Sequence, residues 1–123
     1  MTTIPTTHTF DVAALRRAFA ERDATALAAL HADDATLEFV DAEHTPSHPQ
    51  RIEGREAVDA YIADLFSREM THSVEDVASG DGVLGFTVRC RYPDGTRVLC
   101  VATAKLREGR IVSQVAAQAW DVA

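Results

Sequence analysis

The sequence predicts an α+β domain in which helices pack on one face of a curved antiparallel sheet. Three observations carry that prediction. Apolar residues recur at helical spacing in the first half of the chain. From residue 70 onward they occur in β-rich runs. Those runs are separated by the glycine turns GDG, PDG and EG, too short for anything but a meander.

The elements follow in order. The opening MTTIPTTHTF is rich in threonine and holds a proline, so residues 1–8 are expected to be a flexible lead-in and 9–123 a single domain. FDVAALRRAFAERD places Val12, Leu15 and Phe19 on one helical face. Asp23 is positioned to cap a second short helix, ATALAALH, with Leu27 and Leu30 inward. DDAT then turns the chain into a first strand, TLEFV. Residues Asp41 to Glu53 read as one long polar loop, and loops of that length are often functional. GREAVDAYIADLFSRE is the clearest helix, with Val58, Ile62, Leu65 and Phe66 on its apolar face.

Four strands complete the chain: THSVEDVAS, GVLGFTVRCRY, TRVLCVATAKL and RIVSQVAAQAW. A three-residue turn at Pro93, Asp94 and Gly95 pairs Tyr92 with Thr96 and sets Cys90 opposite Val98. Phe86, Val88, Cys90 and Tyr92 then share an apolar face with Val98, Cys100, Ala102 and Ala104. The last strand has two solutions. A three-residue turn REG turns Gln114, Ala116, Gln118 and Trp120 to the apolar face; a two-residue turn EG turns Ser113, Val115, Ala117 and Ala119 there. We favour the first set, which gives the lone tryptophan an inner position but leaves two glutamines needing partners.

The bulk composition excludes several classes. A chain of 123 residues can bury a core without a metal or disulfide. A net charge of −7 argues against nucleic acid and anionic membranes, which need clustered cations. No apolar run approaches the roughly 20 residues of a membrane helix, and the N-terminus has no basic-then-apolar leader. The cytoplasm is the expected compartment. Two cysteines form no disulfide framework, and their diagonal placement disfavours a bond between them.

The segments ALAALHADDATLEF, IEGREAVDAYIADLF, VEDVASGDGVLGFTVR and LREGRIV resemble, in that order, the nuclear-transport-factor-two-like superfamily. More narrowly they are similar to its SnoaL-like polyketide cyclase and ketosteroid isomerase branch. The resemblance implies a cone-shaped curved antiparallel sheet wrapped around three N-terminal helices, with a pocket inside the cone, and a homodimer. It also implies an enzyme that isomerises, cyclises or dehydrates a hydrophobic carbonyl compound, or else a module that only binds or assembles.

The isomerases' machinery does not carry over. Their base carboxylate falls on Phe39, their oxyanion-hole tyrosine near Leu15, and their oxyanion-hole aspartate on Ala102 or Ala104. All these are apolar, whereas proton abstraction needs a base, and the developing oxyanion needs donors. Candidate replacements are Asp41, which shares Phe39's face, His44 near the expected pocket mouth, and His72 at a strand start. Each also has a plain reading: Asp41 as a turn cap, His44 and His48 as exposed loop residues, His72 as a cover for the core edge. A ligand would meet Leu15, Phe19, Phe39, Tyr61, Phe86, Cys100, Ala102, Gln118 and Trp120. No cofactor or metal is expected, because histidines four apart off a helix share no direction. Cys90 and Cys100 read as packing residues, with no cation nearby to activate a thiol.

Overall fold

The computed structural model describes residues 9–121, so the expected lead-in of residues 1–8 lies outside the described residues. Helix α1 (Val12–Glu21) starts at Asp11, whose side chain accepts from the amide of Ala14 at 2.9 Å. Helix α2 (Ala24–Ala29) is capped in the same way by Asp23. Both caps satisfy amides that a helix start would otherwise leave unpaired. Helix α3 (Arg55–Ser67) buries Val58, Ile62 and Phe66.

Six strands form one sheet: β1 (His31–Val40), β2 (Gln50–Glu53), β3 (Thr71–Gly80), β4 (Val83–Arg91), β5 (Arg97–Arg107) and β6 (Arg110–Trp120). Their order is β2-β1-β6-β5-β4-β3, so the sheet is left open between β2 and β3. Three expectations change here. The sheet is not wholly antiparallel, because β1 and β6 pair in parallel. The polar loop is shorter than expected, because Gln50–Glu53 pairs with β1 as a four-residue edge strand. Strand β1 begins at His31, not after the acidic pair, so Asp33 and Asp34 lie within it. The register between His31 and Thr36 is irregular, and this hides the strand's alternation from a sequence reading.

The β4–β5 hairpin forms as expected: Gly95 has φ +93°, Tyr92 pairs with Thr96, and Cys90 sits opposite Val98. The last hairpin combines both solutions. Its turn is the two-residue one, with Glu108 and Gly109 at positive φ between Arg107 and Arg110. One ladder step later, Leu106 pairs with Ile111 but Lys105 pairs with Ser113. Val112 is thus an extra residue, and the bulge restores the favoured faces. Gln114, Ala116, Gln118 and Trp120 lie opposite Ala104, Ala102, Cys100 and Val98.

The helices cover the apolar face. Leu15, Phe19, Val58 and Ile62 meet Leu37, Leu84, Phe86 and Ala116 in one continuous core. Arg55 ties its narrow end. Its guanidinium donates to the carbonyls of Ala28 at 2.8 Å and His31 at 2.5 Å, and to Asp33 and Asp59. One side chain therefore links α2, β1 and α3. Replacing Arg55 by Ala leaves two carbonyls short of a donor, and we expect a loss of about 2 kcal/mol in urea unfolding. Arg55→Lys should recover only part of it, since an ammonium cannot reproduce the planar fork.

Candidate functional site

The core does not fill the space between sheet and helices. A cavity of about 680 Å³ remains, open at one end. That is within the usual range for a small-molecule site. At its narrow end lie Leu15, Leu27, His31 and Ile111; around its mouth lie Asp41, Glu43, Arg51, Glu53, Asp64 and Arg68.

The positions where the isomerases carry charge are apolar here and well packed. Phe39 stacks face to face on Tyr61, ring centres 4.7 Å apart and planes within 3°. Leu15 is wholly buried. Ala102 is buried on the concave side but does not reach the cavity. Leu15, Phe19, Phe39, Tyr61, Phe86, Cys100, Gln118 and Trp120 do line it. Trp120 sits at the rim rather than inside, 44% exposed, with Tyr92 5.7 Å away.

A polar band crosses this apolar wall. His72 lies opposite Cys90, Cys90 diagonal to Cys100, and Cys100 opposite Gln118. Gln118 sits close to both the Tyr61 hydroxyl and the Cys100 thiol and weakly opposes the effect of burial on each. Burial pushes the Tyr61 hydroxyl up to about 12, and the Cys90 and Cys100 thiols up to about 11 and about 12. All three are therefore protonated at neutral pH, and both cysteines are free. They are hydrogen-bonding and packing groups, not nucleophiles.

Of the three candidate acid–base residues, Asp41 and His44 pair with each other and His72 stands apart. Asp41 lines the cavity mouth, but one carboxylate oxygen accepts from three donors: the amides of Glu43 and His44 and the His44 ring, all within 2.9 Å. Burial works against its charge, yet those hydrogen bonds outweigh it and hold Asp41 below the usual carboxylate range. Asp41 caps the turn as well as facing the cavity. His44 is half-exposed and does not line the cavity. His48 is likewise outside it.

His72 is the opposite case. It is buried in the wall between Phe19 and Phe66, whose ring centres lie 5.7 and 5.4 Å away. Its Nδ1 is 3.1 Å from Cys90 Sγ, and its Nε2 is the buried side-chain nitrogen that has no partner among the described residues. Burial, aided by the charge of Arg22, pushes the ring down to about 4.

Of the lining residues that the sequence analysis does not name as ligand contacts, His31 and Gln114 add polar groups to the inner wall. His31 was assigned to the end of a helix; it opens β1 and is buried in the cavity's narrow end. The irregular pairing between His31 and Thr36 breaks the alternation of Ala35, Leu37 and Phe39 before it reaches His31, so parity does not find it. Gln114, beside Leu37 on the concave side, lines the cavity too. Among the described residues no group of three His, Cys, Asp or Glu side chains converges as a metal site. No described helix is long and apolar enough to cross a membrane.

Residues 12–114 match the family model of the SnoaL-like domain. The chain belongs to the SnoaL-like family. No curated protein matches it. Among solved structures, an NTF2-like protein of unknown function from Mesorhizobium loti is 22% identical, with TM-score 0.71, covering 85% of this chain and 84% of its own. A Kribbella flavida protein, provisionally named a ketosteroid isomerase, is 20% identical, with TM-score 0.70 over 90% of this chain and 77% of its own. A loop-truncation variant of IdmH is 23% identical, with TM-score 0.65 over 87% and 88%. At these identities the SnoaL-like chain shares their fold, and the contents of its cavity are its own.

His72 also gives the fold a pH signature. In the unfolded chain the ring takes a proton near pH 6.5; in the fold it does so only near 4. The unfolded state therefore binds more protons between those values. Stability should be full above about pH 6.5 and fall as pH drops toward 4, by on the order of 2–3 kcal/mol. His31, shifted down by burial as well, adds to the same slope. Urea midpoints between pH 7 and 4.5 test this. His72→Phe should flatten the dependence, and an unchanged slope would refute the assignment.

Proposed function

We propose that this SnoaL-like chain is an enzyme for a hydrophobic, polyketide- or polycyclic-type carbonyl compound, acting by proton abstraction beside the carbonyl. The observation that carries the reading is His72. It is a neutral ring in the cavity wall with one nitrogen claimed by nothing. Buried polar atoms are rarely left so, and those that are tend to mark function. At a pKa of about 4 the ring is as strong a base as an ordinary carboxylate, and it is unprotonated at neutral pH. It can therefore take the part of the carboxylate that Phe39 replaces.

The chemistry then divides among three groups. With Nδ1 donating to Cys90 Sγ, His72 Nε2 carries the lone pair and accepts the proton from carbon. The protonated Tyr61 hydroxyl and the Gln118 amide donate to the carbonyl oxygen and stabilise the enolate as charge develops. Phe39, stacked on Tyr61, supplies a flat wall for a ring. Phe19, which lines the cavity and packs against His72, is the side chain a substrate displaces to reach Nε2. Once the proton has moved, it can return to a different carbon, which is isomerisation, or the enolate can attack within the molecule, which is cyclisation.

One observation favours a second reading, a binding module without catalysis. The mouth carboxylate Asp41 is spent on its own turn, and His44 is outside the cavity. The two readings part in a single measurement. Incubation with a panel of polycyclic ketones in D2O, followed by NMR, should show exchange of the α-protons. His72→Asn should slow it at least about 100-fold, and Asp41→Asn only slightly. Saturable binding with no exchange for any ketone would sink the enzyme and leave the binding module.

We also propose a homodimer through the outer face of the sheet. Val83, Val101 and Val115 are each about half exposed on that side, among Leu99, Ala117 and Ala119 and several charged residues. Val101→Lys should convert a dimer to monomer in light scattering without changing the fold; a wild-type chain that is already monomeric ends the idea.

A further inference from the structure

The cavity has a second polar end that the proposed chemistry does not use. His31 is 3% exposed and lines the narrow end, among Leu15, Leu27 and Ile111. Its Nδ1 lies 2.9 Å from the carbonyl oxygen of Leu27. A carbonyl only accepts, so Nδ1 carries the proton. Burial keeps the ring neutral by lowering its affinity for a second proton. Nε2 is then a bare acceptor. Among the described residues the bond to Leu27 is the only one the ring makes, and Nε2 is not sealed as His72 Nε2 is. Its open surface belongs to the cavity wall.

A lone acceptor at the bottom of an apolar cavity has a definite chemical preference. It is left unpaired by a hydrocarbon, repels a carbonyl or carboxylate oxygen, and is satisfied by O–H or N–H. Gln114, one of the next inward-facing side chains along β6 from Ile111, adds an amide at the same end. The other polar group, Tyr61 with Gln118, is far away. Ile111 to Gln118 is seven residues along β6; at a strand rise of about 3.3 Å they are on the order of 20 Å apart, less the reach of the side chains. A single ring cannot bridge that gap, but a polycyclic scaffold with a polar group at each end can.

We propose that the substrate carries a hydroxyl, phenolic or alcoholic, at the end opposite its reacting carbonyl, and that His31 Nε2 accepts its hydrogen bond. This rests on the reading of the cavity as a site for a hydrophobic carbonyl compound and adds the second functional group. His31 is a specificity-determining residue in this scheme, and Arg55, which binds the His31 carbonyl, holds its strand in place.

The test is calorimetric, with three probes of one skeleton: estrone, its 3-deoxy analogue and its 3-methyl ether. All keep the ketone; only estrone has the buried-end donor. The wild-type chain should bind estrone at least tenfold more tightly than the deoxy compound, and the ether no better than the deoxy compound. In His31→Phe the preference should vanish while affinity for the deoxy compound stays within about twofold. Should that variant not fold, 15N NMR of the wild-type histidines decides: the Nε2 resonance of His31 should move with estrone and not with the deoxy compound. Equal binding of all three probes would overturn the role of His31 and leave the carbonyl site standing. Binding of none would overturn both.

Discussion

One unpaired residue, Val112, sets which side chains of the last strand face the helices. The turn before it is the shortest that can join β5 to β6, and by itself it would present Ser113, Val115, Ala117 and Ala119 inward. The bulge shifts the ladder by one and turns Gln114, Gln118 and Trp120 to the cavity. Because a strand's side-chain period is two, no intermediate exists; the whole set is in or out. β6 also pairs with β1, so the same register fixes where Leu37 and Phe39 meet it. The inward placement of Gln118 and the position of Phe39, on which Tyr61 stacks, both follow from that one insertion.

Polar groups inside the cavity are few, and most have a polar neighbour. Gln118 sits beside Tyr61 and Cys100; Cys90 faces His72 Nδ1; the Leu27 carbonyl holds His31. The bond to Leu27 settles that Nε2 is the His31 atom left to face a ligand. Burial does the rest by keeping histidines neutral and the tyrosine and thiols protonated, so that the interior holds no net charge at neutral pH. Where the isomerases carry charged groups, this cavity presents neutral donors and acceptors.

Much of this was legible in the sequence, and the parts that were not have physical reasons. Helices α1 and α3 and strands β3 to β6 announce themselves by period and by glycine turns, and the Tyr92–Thr96 hairpin follows from the one glycine that tolerates φ +93°. Most of the cavity lining follows from parity once the faces are known. Strand β2 was hidden because it is short and polar, with only Ile52 buried. His31 was hidden because irregular pairing breaks the alternation of β1, making its start look like a helix end. Ala102 was placed on the correct face but lies beneath the cavity surface, a matter of depth that parity does not encode. His44 stands beside the mouth, as expected, but outside the lining, because its direction is set by the turn around Asp41, whose hydrogen bonds are invisible until the loop is closed.

The mouth of the cavity carries a further meaning. Four carboxylates, Asp41, Glu43, Glu53 and Asp64, stand around it with two guanidiniums, Arg51 and Arg68. The guanidiniums are engaged locally, Arg51 by Glu53 and Arg68 by Asp64. With a net charge of −7 on the chain behind it, the entrance acts as an electrostatic filter. Anions meet an unfavourable field there before shape is tested, and neutral molecules do not.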